Sequence, residues 1–200
     1  KIMPLLKNEQ DRIFTYKDYL TWNDNEGWEL IDGVAYSMAP SPSVNHQRVA
    51  MELGRQFANF LSDKPCEVFS APFDVRLPET NEDDEDSKNV VQPDIVVICD
   101  SSKLDEKGCK GVPDLTIEIV SPASASIDNI KKMDLYEKNG VKEYWIVHPI
   151  YKIVTIYKIM ENGSYGKPEI YSEKDKIEVE LLKELTVDLG PVFGGKRGHT

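Results

Sequence analysis

The sequence predicts an α/β fold in which short strands form a sheet and helices pack against it. Two near-continuous apolar runs, residues 90–99 and 115–120, have the pattern of strands that are buried on both faces. Segments with helical periodicity, Val44–Leu61 and residues 128–139, flank these runs along the chain. The 200 residues show no internal repeat and no linker-like stretch, so we expect a single domain over residues 1–200.

The first elements are a short helix and a hairpin. Residues 14–20 are predicted to be helical, with Thr15 as the N-terminal cap. Residues 28–38 (WELIDGVAYSM) alternate between apolar and polar side chains on either side of Asp32-Gly33. Because Asp-Gly is a strong two-residue turn signal, this segment is predicted to be a β-hairpin.

A long amphipathic helix and a bent strand come next. Val44–Leu61 has apolar residues at three- and four-residue spacing, and Ser43 precedes it as a candidate cap. Residues 66–78 (CEVFSAPFDVRLP) are rich in β-branched and aromatic side chains but are interrupted at Ala71-Pro72. They are predicted to form a strand or a bent pair of strands.

The second half predicts strands and one helix around a buried centre. After the two apolar strands, residues 128–139 are predicted to form a helix that Asp128 caps and that ends before Gly140. Residues 143–147 and 152–158 then alternate as strands that could form a hairpin.

The expected domain has a core of about residues 14–160 and a C-terminal β extension of about residues 161–193. Residues 163–176 are rich in turn formers, and residues 177–182 alternate only weakly. The tail, residues 194–200, is predicted to be frayed because it is rich in glycine and basic residues.

Composition restricts the function classes. The net charge of −11 argues against a protein that coats nucleic acid without sequence preference. Much of this charge is local, because residues 79–86 carry six acids and no basic residue. No run approaches eighteen apolar residues, so we expect no membrane association. Cys66, Cys99 and Cys109 are odd in number and lack CxxC spacing, which predicts neither a disulfide framework nor a zinc site. A cytoplasmic location is therefore expected.

Two acids carry the strongest chemical signal. Asp94 starts one buried strand, and Glu118 lies among apolar neighbours in LTIEIV of the next. A buried carboxylate must be paired or bind a cation, and two on adjacent strands could share Mg²⁺ or Mn²⁺. The backbone carbonyl of Val120 is a candidate third ligand. The alternative for each acid is a salt bridge to a lysine.

Lys132 is the candidate catalytic cation. It shares a helix face with Asp128 and Tyr136, and its helix directly follows the Glu118 strand. The lysine could therefore reach over the carboxylates and neutralise a phosphate or help to activate water. The alternative is an exposed pair with the acid four residues earlier. Tyr136 itself is predicted to be a core aromatic.

Three more residues are candidates for supporting roles. His46, in the first turn of its helix, could contact phosphate or water near the metal, or be structural. Glu29 in the hairpin and Asp74 in FDVRL are further possible cleft acids. Asp74 could instead pair with Arg76 or face solvent.

These motifs together resemble the Uma-type putative restriction endonuclease family of the PD-(D/E)xK nuclease superfamily. The chain has PD, then ExV 24 residues later, then D(x3)K(x3)Y(x3)GVxEYW, with WELIDG and a helix opening with histidine upstream. The resemblance covers residues 16–149. It implies a restriction endonuclease-like core with a central mixed sheet flanked by helices, in the order α-β-β-β-α-β.

The resemblance also implies roles for the candidate residues. It makes Asp94 and Glu118 the metal-binding acids and Lys132 the catalytic lysine, while His46, Glu29 and Asp74 match recurrent family positions. The chain departs from the superfamily because Val120 stands where the lysine usually follows the second acid. The lysine of the next helix replaces it in the family pattern.

The expected function is Mg²⁺-dependent hydrolysis of DNA. A homodimer is a candidate assembly, because cutting two strands needs two sites. A catalytically silent nuclease-fold protein that binds nucleic acid or a protein partner is the alternative, and the acidic charge favours it slightly. Hydrolysis of another phosphoester would use the same centre.

Overall fold

The computed structural model describes residues 12–22, 27–38, 42–79, 82–121 and 127–194, with only the backbone of residues 127–129. The last six residues of the predicted frayed tail, 195–200, lie outside these ranges. The helices are α1 (Tyr16–Tyr19), α2 (Val44–Leu61), α3 (Met133–Asn139) and α4 (Leu189–Gly194). The strands are β1 (Trp28–Ile31), β2 (Val34–Ser37), β3 (Glu67–Ser70), β4 (Val75–Arg76), β5 (Val90–Val91), β6 (Ile95–Ile98), β7 (Leu104–Asp105), β8 (Gly108–Lys110), β9 (Leu115–Ile119), β10 (Glu143–His148), β11 (Ile153–Lys158), β12 (Glu169–Ser172), β13 (Lys176–Glu178) and β14 (Thr186–Asp188).

The described strands form two six-stranded sheets and a separate hairpin. The central sheet has the order β12-β11-β10-β9-β6-β3, with β9 and β10 parallel and the other neighbours antiparallel. The elements α2, β3, β6, β9, α3 and β10 follow one another in the expected order α-β-β-β-α-β. The predicted α/β fold with a central mixed sheet is therefore confirmed.

The second sheet, which we call the N-terminal sheet, has the order β2-β1-β5-β4-β8-β7. Its β1–β2 hairpin confirms the prediction, and both turn residues have positive φ, 51° at Asp32 and 74° at Gly33. Such a turn matches the twist of the flanking strands. Helix α1 is shorter than predicted, and Leu20 is exposed rather than on the buried face of Tyr16.

Helix α2 has the predicted bounds because its cap and its apolar face agree. The Ser43 side chain accepts a hydrogen bond from the His46 N–H at 3.1 Å. One face of the helix is buried against the central sheet, and its buried residues are Val49, Leu53, Phe57 and Leu61. The cap and this packing together place His46, in the first turn of α2, near the edge of the central sheet.

The chain passes between the sheets twice, and these crossovers correct one prediction. Residues 90–99 form two strands, not one: β5 belongs to the N-terminal sheet and β6 to the central sheet. Pro93 lies between them, where it has no N–H to donate to a ladder. The bent segment 66–78 likewise divides into β3 of the central sheet and β4 of the N-terminal sheet, with a cis Ala71-Pro72 bond between them.

The helix that precedes β10 starts earlier than predicted. Residues Ile127–Lys132 form a π-helical turn that leads into α3. Asp128 therefore lies within the helical backbone and not before it, while its side chain lies outside the described part. Gly140 ends α3 with φ 79°, as the sequence predicts. The predicted hairpin of β10 and β11 is also present.

Both faces of the central sheet are covered. One face packs against α2, the β13–β14 hairpin and α4. The other packs against α3 and the N-terminal sheet. The predicted strand at 177–182 is the shorter β13, while β12 from the turn-rich region extends the central sheet. Within the described residues, no helix combines the length and apolar character that a bilayer crossing requires.

A disulfide bond joins Cys66 and Cys99, contrary to the prediction from cysteine spacing. The two residues adjoin paired ends of β3 and β6, where Glu67 lies opposite Ile98. Strand pairing, which spacing does not reveal, brings the thiols together. Cys109 is free and buried, and burial raises the pKa of its thiol to about 11.

Candidate active site

Asp94 and Glu118 occupy opposed positions on neighbouring strands. The antiparallel register pairs Ile95 with Ile117, so the next pair along the ladder is Asp94 with Glu118. Side chains of opposed residues lie on the same face of a sheet. The Asp94 carboxylate also accepts a hydrogen bond from the Ile119 N–H at 2.7 Å. Continuing this register places the two acids opposite each other, and their joint binding of a cation stays a prediction.

The Glu118 carboxylate is buried and held by two donors. Only 3% of the residue is exposed. Its Oε1 atom accepts hydrogen bonds from Lys132 Nζ at 3.0 Å and from the Tyr136 hydroxyl at 2.8 Å. Burial first, and the charge of Glu118 second, raise the pKa of Tyr136 well above 10, so this hydroxyl keeps its proton. Tyr136 is thus part of the site as well as of the core.

Lys132 lies between two glutamates that come from different sheets. Its Nζ atom is 2.8 Å from Glu29 Oε1 as well as 3.0 Å from Glu118 Oε1. Lys132 is 4% exposed and Glu29 is 6% exposed, whereas the neighbouring Lys131 is exposed. Lys132 is therefore the enclosed lysine of this helical turn, and its burial disagrees with the alternative of an exposed pair.

Glu29 connects the centre to a second polar group through Gln92. The Gln92 N–H donates to Glu29 Oε1 at 2.8 Å, and the Gln92 side-chain amide donates to Asp74 Oδ1 at 2.7 Å. The Tyr19 hydroxyl also donates to Asp74 Oδ1, at 3.1 Å. Burial and the neighbouring Asp74 raise the pKa of Tyr19. Asp74 is therefore anchored at the edge of the site.

The alternative pairing of Asp74 with Arg76 is wrong. The Arg76 guanidinium is fully buried and lies 2.6 Å from Asp84 and 2.7 Å from Asp105. Through these two acids it joins residues 79–86 to strand β7 of the N-terminal sheet.

His46 approaches Asp94 from helix α2. Its Nε2 atom lies 3.2 Å from Asp94 Oδ1, and the two side chains are 14% and 21% exposed. A groove of about 430 Å³ between α2 and β3 opens beside this pair. Asp94 is thus the accessible acid of the centre, while Glu118 is enclosed.

Val120 follows β9 directly, two residues beyond Glu118. Its N–H donates to the Val147 carbonyl at 2.9 Å, and its side chain packs in the core between the sheets. Val120 therefore lies at the carboxyl end of β9, and the role of its carbonyl as a metal ligand stays a prediction.

Sequence reasoning missed three contributors to this network. Gln92 precedes the PD motif and Tyr19 lies in the first helix, so neither carries a local signal of a polar site. Tyr136 had one: it lies one helical turn beyond Lys132 on the same face. Its polar contact with Glu118 could have been predicted from that spacing.

The donor set suits a hard divalent cation. Asp94 and Glu118 supply carboxylate oxygens, and Mg²⁺ commonly uses one or two carboxylates together with waters and substrate phosphate. Among the described side chains, no group of three or more His, Cys, Asp or Glu residues could hold a metal by itself. The two-acid centre fits an ion whose remaining ligands are backbone, water or phosphate.

Comparisons with known proteins agree with this fold. A protein from Synechocystis sp., called "Uncharacterized protein slr1290", is 26% identical over 169 residues, which cover 83% of this chain and 84% of the relative. A crystal structure from Anabaena variabilis, titled as a putative nuclease belonging to DUF820, superposes with a TM-score of 0.69 at 20% identity. That match covers 90% of this chain and 98% of the other and shows a shared fold.

The family assignment comes from the sequence as a whole. Residues 16–190 match the family described as "Uma2: Putative restriction endonuclease". This range includes Glu29, Asp94, Glu118 and Lys132, which the structure brings into contact or opposition. The chain therefore belongs to the Uma2 restriction endonuclease-like family.

Proposed function

We propose that this protein is a metal-dependent endonuclease that hydrolyses phosphodiester bonds in DNA. The observation that carries the proposal is the opposition of Asp94 and Glu118 with the Lys132 ammonium 3.0 Å from Glu118. Two carboxylates on neighbouring strands and a nearby cation are groups that metal-assisted phosphoester hydrolysis uses. Membership of a family described as "Putative restriction endonuclease" supports the choice of DNA over other phosphoesters.

Asp94, Glu118 and the Val120 carbonyl are the groups that would hold Mg²⁺ or Mn²⁺. When bound, such an ion neutralises phosphate charge and lowers the pKa of a coordinated water. Because Asp94 is the more exposed acid, the substrate phosphate would approach from its side and from His46. Lys132, buried behind Glu118, would stabilise negative charge that develops on the phosphate.

The remaining contacts orient these groups. The Ile119 N–H fixes one Asp94 oxygen, and the Tyr136 hydroxyl fixes one Glu118 oxygen. His46 contacts the other Asp94 oxygen and could also bind phosphate. Such preorganisation reduces the reorientation that the carboxylates would need during the reaction. Glu29 and Asp74 act one contact further from the reacting atoms.

A plasmid cleavage assay tests the proposal. Supercoiled DNA is incubated with the protein and Mg²⁺ or Mn²⁺, and the variants Asp94→Asn and Glu118→Gln are compared with Glu178→Gln, an exposed acid of β13. We expect the first two to lose at least about 100-fold in rate, and the control to retain it. Circular dichroism checks the fold. Full activity of Glu118→Gln would refute the assignment.

The product distinguishes single-strand from double-strand cutting. A monomer with one centre should produce nicked circles first, whereas a homodimer with two centres should produce linear DNA. Light scattering under the assay conditions measures the oligomeric state directly.

A catalytically silent protein is the second candidate, and the net charge of −11 favours it. Such a charge repels DNA outside the centre. If the wild type cuts neither single- nor double-stranded DNA with either metal, but captures a defined partner, this candidate replaces the enzyme. Cleavage that both acid variants abolish excludes it.

A further inference from the structure

One buried ammonium is shared between two buried carboxylates at this centre. Lys132 Nζ lies 2.8 Å from Glu29 Oε1 and 3.0 Å from Glu118 Oε1. All three residues are at most 6% exposed. Such close charges interact strongly because little water screens them. Any second cation that binds Glu118 must therefore compete with Lys132 or share the carboxylate with it.

Four charged groups among the described residues take part in that competition. Asp94, Glu118 and Glu29 each carry −1 when ionised, and Lys132 carries +1, so together they carry −2. A divalent cation would balance these four groups while Lys132 stays protonated. Binding of the cation then requires Lys132 to remain in the centre but to weaken its contact with Glu118.

Glu29 is placed to hold the ammonium when that happens. Its Oε1 atom is fixed by the Gln92 N–H at 2.8 Å, and it lies nearer to Lys132 than Glu118 does, which is the other carboxylate described beside this lysine. Glu29 belongs to the N-terminal sheet, whereas Glu118 and Asp94 belong to the central sheet or its edge. A small shift of a flexible lysine side chain toward Glu29 would free Glu118 without moving the backbone.

We propose that Lys132 is an internal competitor for a divalent cation at Glu118, and that Glu29 is the positioning residue that retains the ammonium when the cation binds. The proposal deepens the proposed function and rests on it, since it places the cation at Asp94 and Glu118. It predicts opposite effects for two substitutions. Removing Lys132 strengthens cation binding, and removing the Glu29 charge weakens it because the ammonium then stays on Glu118.

Isothermal titration calorimetry with Mn²⁺ alone tests these signs without any cleavage. The variants are Lys132→Met and Glu29→Gln, with Lys131→Met as a control because it removes the same charge from an exposed neighbour. We expect Lys132→Met to bind at least about tenfold more tightly and Glu29→Gln about tenfold more weakly than the wild type. Lys131→Met should differ by less than about twofold.

Thermal unfolding with and without Mn²⁺ covers the case in which Lys132→Met is unstable. Without Lys132 the buried carboxylates repel, so Mn²⁺ should raise its midpoint more than that of the wild type. General damage to the site would weaken Mn²⁺ binding in both variants. A Lys132→Met variant that binds no more tightly than the wild type, or a Glu29→Gln variant that binds equally well, overturns the proposal.

Failure of this proposal can be told apart from failure of the proposed function. If the wild type binds Mn²⁺ and Asp94→Asn abolishes binding, the centre stands even when Lys132→Met shows no gain. If Lys132→Met binds Mn²⁺ and the wild type does not, the competition is supported, whereas the proposal that the wild type is a metal-dependent enzyme is refuted. If no variant binds, both proposals are overturned.

Discussion

Removal of the Tyr136 hydroxyl is expected to destabilise the protein by about 1.5–3 kcal/mol. The hydroxyl donates to Glu118 Oε1 at 2.8 Å, and both residues are buried. A hydrogen bond to a charged group contributes about this much, because the acceptor cannot recover it from water once the donor is lost. Since the pKa of Tyr136 is raised by burial and then by Glu118, the hydroxyl is a donor at every practical pH.

Urea unfolding of Tyr136→Phe measures this loss, and the thermal midpoint should fall by about 3–12 °C for a domain of this size. Tyr157→Phe is the matched control. Its half-buried ring lies 6.3 Å from that of Tyr144 in the same aromatic cluster, and no hydroxyl hydrogen bond of Tyr157 is observed among the described residues. The control should change the free energy of unfolding by less than about 0.5 kcal/mol.

A double-mutant cycle identifies the partner. Tyr136→Phe and Glu118→Gln, alone and together, should show a coupling of at least about 0.5 kcal/mol if the two side chains interact as described. A change below that size in Tyr136→Phe, or additive effects in the double variant, would refute the view that this hydroxyl stabilises the Glu118 carboxylate.

Three further predictions concern the scaffold. Reduction of the Cys66–Cys99 bond, which spans 33 residues, should lower stability by about 4 kcal/mol in urea unfolding, whereas Cys66→Ser should make the protein insensitive to reductant. Burial opposes ionisation of Asp105, but the hydrogen bond from Arg76, the backbone hydrogen bond from Lys107 and the charges of both residues together outweigh it and lower the pKa. Its stabilising contribution is therefore present above about pH 4 and lost as the pH falls further, and Asp105→Asn should flatten that part of the stability–pH curve. Gly108→Ala should destabilise by more than about 1 kcal/mol in urea unfolding, because φ is 125° and a Cβ would meet a backbone carbonyl. The three predictions would be contradicted by a wild-type urea midpoint that reductant leaves unchanged, by an Asp105→Asn stability–pH curve that matches the wild type, and by a Gly108→Ala urea midpoint that matches the wild type.

Local sequence patterns predicted those helices and strands for which the capping or turn residues and the spacing of apolar residues indicate the same element. Val44–Leu61 has both a serine cap and an apolar stripe, and the hairpin at 28–38 has an Asp-Gly turn between alternating strands. Glu118 was also recognisable from the local sequence, because a carboxylate in an otherwise apolar strand must have a partner. The nature of that partner, one lysine and one tyrosine from the next helix, follows from helical spacing.

Long-range pairing could not be predicted in the same way. Glu29 and Lys132 are separated by more than half of the chain, and no local pattern specifies that their strand and helix meet. The split of residues 90–99 depends on which sheet each half joins, although Pro93 marks the break. The Cys66–Cys99 bond likewise follows from the register of β3 and β6. Tertiary packing decides all three.

The two crossovers between the sheets have a consequence for cooperativity. Gln92 and Asp94 lie on one crossover, Asp74 lies on the other, and the Lys132 ammonium joins a carboxylate of each sheet. The centre is therefore assembled only while the two sheets remain docked. Amide hydrogens of β1 and β9 should consequently exchange through a common opening event, and binding at the centre should slow exchange in both sheets together.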